Sequence, residues 1–308
     1  MILFASGRTD IPAFYSKWLS NRVKAGFLDV RNPYFPQKVT RYELSTRVVD
    51  CIVFCTKNPR PMFDYLDDFA PFSPYVFVTI TPYGTDIEPN VPEKEAVMED
   101  FIALSGRLGK HRVCWRYDPI LVTEKYSPAF HIKTFRSMCE TLAPFTDRCI
   151  ISFVDVHAKT RRIFPELQEV CEKDQLFIAR TFAAISGQFG MTIESCAERL
   201  DLSAFGVENG GCVSKRVIER AAGICLREKS ASRLRRGCAC LPMRDIAHYN
   251  CCPHLCRYCY ANHDAASVER NRSLHDDNSP FLIGKALPND ELHVARLESW
   301  RDGQLRLF

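Results

Sequence analysis

The chain has 308 residues, of which 46% are hydrophobic and 25% charged, and it carries a net charge of +4 at pH 7. This is the composition of a folded globular protein long enough to bury a full core without disulfide staples, and it excludes a disordered or collagen-like chain. No basic-then-apolar leader and no bilayer-length apolar run is present, so a cytoplasmic location with no membrane partner is expected, and the mild positive charge neither demands nor excludes nucleic acid.

Short β-branched or aromatic runs recur in chain order: "MILFA", "CIVFC", "YVFVTIT", "RVCWRY", "CIISFV" and "MTIESC". Between most of them lie amphipathic stretches predicted as helices, at Pro12–Ala25, Glu93–Leu108, Ser127–Leu142 and Gln175–Phe189. Strands alternating with helices predict βαβ units and a parallel sheet, here an α/β fold of complete or partial (β/α) TIM-like barrel type. From about Glu208 the pattern loosens into "NGGCVSK", a basic run Arg227–Arg236 and a cysteine cluster. The chain is therefore expected to divide into a barrel core, residues 1–207, and a cysteine-rich C-terminal extension, residues 208–308, that binds metal and completes the barrel. Its "NRSLHDDNSPFLIGKALPNDE" segment reads as surface chain. The G-x-G-x-x-G and G-x-x-x-x-G-K-[ST] nucleotide loops are absent.

Polar residues follow each predicted strand: Arg8 and Asp10, Lys57 and Asn58, Tyr83, Arg116 and Asp118, Asp155, then Glu194 and Glu198. In parallel α/β barrels such strand ends converge on one mouth, where ligands bind. Asp and Asn also cap helices and start turns, which for any single residue is the commoner role. The catalytic or substrate-holding candidates are Arg8, Asp10, Lys57, Asn58, Arg116 and Asp118.

Fifteen cysteines in a reducing compartment are not expected to form a disulfide framework. Cys51, Cys55, Cys114 and Cys149 in strand-like runs, and Cys139 and Cys171 in helical patterns, read as small buried hydrophobes. The later thiols differ. "YNCCPHLCRYCYANH" sets Cys252, Cys256 and Cys259 at C-x-x-x-C-x-x-C. A structural zinc site wants four ligands, usually as two separated pairs, and the two-cluster ferredoxin run is absent. Three thiolates so spaced wrap three corners of an iron–sulfur cubane and leave the fourth iron open to a chelating ligand. Cys196, Cys212, Cys238 and Cys240 make a second set, enough for another [4Fe–4S] cluster, for a tetrahedral zinc, or merely buried. Cys251 reads as an extra thiol. His248, His254 and His263 flank or enter the motif, and supporting roles are expected for them ahead of ligation. The run Arg227–Arg236 lacks interleaved aromatics and reads as a solvated face.

The stretch Cys252-Pro-His-Leu-Cys256-Arg-Tyr-Cys259 resembles the C-x-x-x-C-x-aromatic-C signature of radical S-adenosylmethionine (SAM) enzymes. "RTDIPAFY", "FCTKNP" and "RYDPI" resemble the T-D-P-Y-Q-P, S-T-K-S and R-x-D-P-I segments of the spore photoproduct lyase-like branch. Over nearly its full length the chain also resembles an uncharacterised bacterial domain family with "SRRTDIPAFY" near its start and a YCYAN ending to the cysteine motif. The resemblance implies a [4Fe–4S] cluster on Cys252, Cys256 and Cys259, SAM on the open iron, Tyr258 packed near cluster or adenine, and an electron donor such as flavodoxin or ferredoxin. It departs in two ways. The motif stands at the C-terminal end instead of after the first strand, which a circular permutation explains. The glycine-glycine-acid segment that holds SAM is also absent, since Gly210-Gly211 is followed by Cys212. Two further functions therefore stand beside a radical SAM enzyme acting on an unknown substrate: an iron–sulfur or zinc protein without SAM chemistry, and repair of nucleic-acid lesions.

Overall fold

The computed structural model describes residues 1–227 and 238–302, so the basic run lies outside the described residues except for Arg227. In chain order the strands are β1 (Ile2–Phe4), β2 (Phe27–Arg31), β3 (Lys38–Glu43), β4 (Cys51–Thr56), β5 (Tyr75–Thr79), β6 (Val113–Ile120), β7 (Arg148–Phe153), β8 (Thr192–Ser195), β9 (Met243–Asp245) and β10 (Glu291–Val294). The main helices are Ser16–Ala25, Lys94–Leu108, Pro128–Leu142 and Glu172–Gln188. The third starts where Ser127 accepts a hydrogen bond from the Phe130 N–H as an N-cap.

Seven strands form one parallel sheet in the order β8-β7-β6-β5-β4-β1-β9. From β1 through β8 each crossover steps the same way along the sheet. Right-handed crossovers that never reverse put their helices on one face. Accordingly Trp18, Phe101, Phe135 and Phe182 share a core with Leu3, Phe54, Val78, Trp115 and Ile151. The alternate residues Ile2, Val53, Phe77, Cys114 and Ile150 point to the other face. That face is covered by Val213, Val217, Ile218 and Leu241, from the stretch that the sequence marks as a loosened extension. Burial on both faces explains why the strands read as continuous apolar runs.

The sheet is open: β8 and β9 are its edges and do not pair with each other. Irregular chain fills the gap. Glu208 pairs with β8 through Ser195 N–H to Glu208 O (2.9 Å) and Glu208 N–H to Ile193 O (2.9 Å), and Leu241, two residues before β9, donates to Val213 O (2.9 Å). These contacts occupy backbone groups that a closing ladder would need.

Three local expectations are corrected. β2, β3 and β10 make a second, three-stranded sheet that the apolar-run pattern missed. Its strands carry Asp29, Arg31 and Arg41, paired as Arg41–Asp29 and Arg31–Asp290, which breaks the apolar signal. The segment expected to be surface chain buries Phe281, Leu282 and Ile283, and Trp18 Nε1 donates to Ser279 O (2.9 Å). Cys171 is exposed, at the N-cap of Glu172–Gln188, not buried in a helix. Cys51, Cys114, Cys139 and Cys149 are fully buried. Among the described residues no helix is long and apolar enough to cross a membrane.

Phe135 and Phe182 join two crossover helices by a stack with centroids 3.8 Å apart and planes 7° from parallel. Both are fully buried. Phe182→Ala is predicted to cost about 3–5 kcal/mol of unfolding free energy. Urea denaturation followed by circular dichroism measures it; a loss below about 1 kcal/mol would show that this stack does not carry the helix layer.

Candidate metal centre

β9 ends at Asp245, and the cysteine loop follows. Asn262 closes the loop at its base: its side-chain N–H donates to Cys252 O (2.7 Å), and its carbonyl accepts the Cys252 N–H (3.4 Å). Asn250 N–H to Ala261 O (3.0 Å) adds a second rung at the base, and Cys259 N–H to Cys256 O (3.0 Å) closes a smaller turn within the loop. Leu255 takes a left-handed conformation, φ 53°, which costs a branched residue about 1–3 kcal/mol and persists where surroundings force it. The result is a fixed loop presenting Cys252, Cys256 and Cys259, each half-buried.

Two buried carboxylates anchor this loop to the strand ends. Asp10 caps the turn Ile11–Phe14 through Ala13 N–H (3.0 Å) and also accepts the Lys57 N–H at the end of β4 (2.7 Å). The same carboxylate faces His254 Nε2 (3.0 Å), while His254 Nδ1 faces Asn90 O (3.1 Å). Glu88, 1% exposed, gathers Lys57 Nζ (2.7 Å), Thr81 Oγ1 (2.7 Å), Lys94 and the Tyr258 hydroxyl. Burial opposes its charge, but the two ammonium groups outweigh burial and hold its pKa at about 2. Burial likewise disfavours the Lys57 ammonium, yet Glu88 and the nearby Cys256 raise its pKa above the ordinary lysine value. The Lys94 pKa is lowered, because burial there exceeds the help from Glu88. Burial pushes the Cys256 thiol up to about 12, with Lys57 pulling the other way, and raises Cys252, with Asp10 and the neighbouring Cys259 and Cys256 adding to it. These mutual effects mark the three sulfurs as neighbours.

Among the six mouth candidates, Asp10 and Lys57 meet the cysteine loop. Arg8 is tied to β9 by Nε to Asp245 Oδ2 (2.8 Å) and lies over Tyr249 (5.3 Å). Asn58 caps the turn at Arg60, its carbonyl accepting the Arg60 N–H (3.3 Å). Arg116 and Asp118 pair with each other, away from the C-x-x-x-C-x-x-C loop and beside the second thiol set. Tyr83 holds the β6 end through Pro119 O and Leu121 N–H, Glu194 pairs with Arg148 (2.6 Å), and Glu198 accepts from Ser152 and Phe153 N–H (both 2.8 Å). A cavity of about 600 Å³ opens beside Arg257 and Ile87, but none of the three motif cysteines lines it.

The second thiol set also converges. Cys196 and Cys212 sulfurs are 3.8 Å apart and Cys212 and Cys240 sulfurs 3.3 Å apart, while Cys238 packs on the same apolar cluster. Cys251 is buried in the main core, as an extra thiol. Among the described residues no group of three or more His, Cys, Asp or Glu surrounds a single point as one metal ion requires. A cubane asks for something else, since each thiolate there binds a different iron and the sulfurs stand further apart.

A family model described as a domain of unknown function, DUF1848, matches residues 2–261. The chain belongs to the DUF1848 family. No curated protein and no solved structure matches the chain. The family match runs from β1 through the last cysteine of the motif, so the sheet and the cysteine loop both lie within it.

Sequence reasoning missed Glu88, Lys94, Asn90 and Asn262. Glu88 stands in a turn, "GTDIEPN", with nothing local to distinguish it from a solvated acid. Because its folded pKa lies below the ordinary carboxylate value, its stabilisation is complete above pH 4.5 and is lost as pH falls toward 2. Glu88→Gln is predicted to destabilise the fold at pH 7 by about 3 kcal/mol, the gap from wild type shrinking on acidification through that window. Chemical denaturation at stepped pH checks it, and a gap independent of pH would show that the Glu88 charge is not matched by the two lysines.

Proposed function

We propose that this protein is a radical SAM-type enzyme acting on an unknown substrate, with a [4Fe–4S] cluster on Cys252, Cys256 and Cys259 at the mouth of a circularly permuted, partial (β/α) barrel. The observation that carries the reading is the place of β9. It is late in sequence, yet it lies parallel beside β1, and the cysteine loop leaves its C-terminal end. Taken round the sheet, in the order β9, β1, β4, β5, β6, β7, β8, the cysteine loop follows the first strand, as the resemblance requires. The crossover helices lie on one face, as in a barrel wall, while the helix Lys215–Ala222 covers the other.

Held by Cys252, Cys256 and Cys259, such a cluster would supply one-electron reduction of bound SAM and so radical chemistry on the substrate. The chain's part is to ligate, orient and exclude water. Soft thiolates suit iron–sulfur binding. The Ala261 N–H points at Cys259 Sγ (3.4 Å) and the Lys57 ammonium stands near Cys256, both of which favour a ligating thiolate. Tyr258, held by Glu88, walls the inner side of the loop. Ser6 Oγ, just past β1, is buried and has no hydrogen-bond partner among the described residues, and it offers one to a bound group.

One observation favours the second reading, an iron–sulfur or zinc protein without SAM chemistry. A Cβ on Gly211 would come within 2.7 Å of the Ala239 backbone, so the one glycine pair in this region serves chain packing and not a bound amino acid.

Anaerobic reconstitution separates these. The account predicts that Cys252→Ala, Cys256→Ala and Cys259→Ala each lose about four irons and four sulfides per chain relative to wild type. It also predicts that the dithionite-reduced wild type converts SAM to 5′-deoxyadenosine. A loaded cluster with no SAM bound or cleaved would support the second reading, and stoichiometric zinc without labile sulfide at these cysteines would contradict the radical SAM reading and leave the zinc form of the second.

A further inference from the structure

We propose that Cys196, Cys212, Cys238 and Cys240 form a second metal centre, a tetrathiolate site for a single thiophilic ion of the zinc class, independent of the first. The four residues come from three separate segments: the end of β8, the turn after Gly211, and the approach to β9. Their assembly is built into the backbone. Gly211 adopts φ +81° and passes so close to the 239–240 peptide that a Cβ would lie 2.7 Å from Ala239 C and 2.9 Å from Cys240 N. A side chain at this position would push Cys212 off Cys240. Leu241 N–H to Val213 O (2.9 Å) then locks the two segments in register.

Two of the sulfur spacings approach the edges of one tetrahedral site. Bonds of about 2.3 Å to a tetrahedral centre imply sulfur–sulfur edges of about 3.8 Å. Cys196 and Cys212 stand at 3.8 Å and Cys212 and Cys240 at 3.3 Å, so the second pair opens by about half an ångström on binding. At present the three thiols form a chain and not a ring round one point. Loading therefore turns Cys238, two residues from Cys240 and packed on the same cluster, into the fourth corner. The surroundings suit thiolates. The Val213 N–H points at Cys240 Sγ (3.4 Å), the kind of donor that orients a metal-bound sulfur. The Arg116 guanidinium, held by Asp118, stands close to Cys196, Cys212 and Cys55 and offsets the charge of an all-thiolate site. Apolar neighbours Val213, Ile218 and Leu241 exclude water. Such an ion would pin irregular chain across the gap between β8 and β9.

The test uses the full chain with Cys252→Ser, Cys256→Ser and Cys259→Ser, so that failure of the first site does not touch the result. Purified from zinc-supplemented medium, this variant is expected to hold about one zinc per chain, with no labile sulfide. Adding Cys212→Ser should reduce that at least tenfold. Should the further variant fail to fold, cobalt supplied in place of zinc reads the same site: thiolate-to-cobalt charge-transfer bands and tetrahedral d–d bands are expected. Less than one-tenth equivalent of metal, with these thiols freely titratable in the folded protein, overturns the proposal, and so does iron with labile sulfide retained on this set.

Discussion

Glu88 carries a negative charge into the protein interior, and the cysteine loop depends on how that charge is matched. The carboxylate collects two ammonium groups and two hydroxyls, from the residue after β4, the β5 loop, the helix Lys94–Leu108 and the cysteine loop itself. An isolated buried carboxylate would cost several kcal/mol, whereas a fully paired one fixes the geometry of every group that pairs with it. Lys57 is thereby held beside Cys256, and Tyr258 is held between Cys256 and Cys259. Asp10 repeats the device on the other side of the loop, through His254.

These anchors lie where they do because of the winding of the sheet. Every parallel strand from β1 to β8 delivers its following loop to the same end. β9 pairs in parallel with β1 and so delivers the cysteine loop to that end too. Both thiol sets sit within reach of residues of β4 and β6, since Cys256 stands near Lys57 and Cys196 and Cys212 stand near Arg116. On the proposed reading, one face of one sheet end holds the chemistry, and the segment beyond Glu208 supplies all but one of the seven cysteines involved.

Much of this was legible in the sequence. The six apolar runs are strands of the parallel sheet, and the helices expected at Glu93–Leu108 and Ser127–Leu142 form at Lys94–Leu108 and Pro128–Leu142. Strands buried on both faces leave a dense apolar signature that needs no tertiary knowledge. β2, β3 and β10 escaped because their sheet is stabilised by arginine–aspartate pairs and presents charged side chains along each strand. β9 escaped because "MRD" is three residues with only one apolar side chain. The cysteine motif was legible as spacing, but not its supports: Glu88 and Asn90 act through partners remote in sequence, and nothing in the spacing shows that Asn262 closes the loop onto Cys252. The mouth residues divided in the same way. Asp10 and Lys57 gather at the loop, whereas Asn58 caps a turn and Arg8 binds β9, roles that Asn and Arg take as readily as ligand binding.

The most direct measurement is the electron paramagnetic resonance spectrum of anaerobically reconstituted, dithionite-reduced protein, recorded with and without SAM. The account predicts a reduced [4Fe–4S] signal that changes when SAM is added and is absent from Cys256→Ala. A reduced cluster signal that is unmoved by SAM, or that persists in Cys256→Ala, would contradict it.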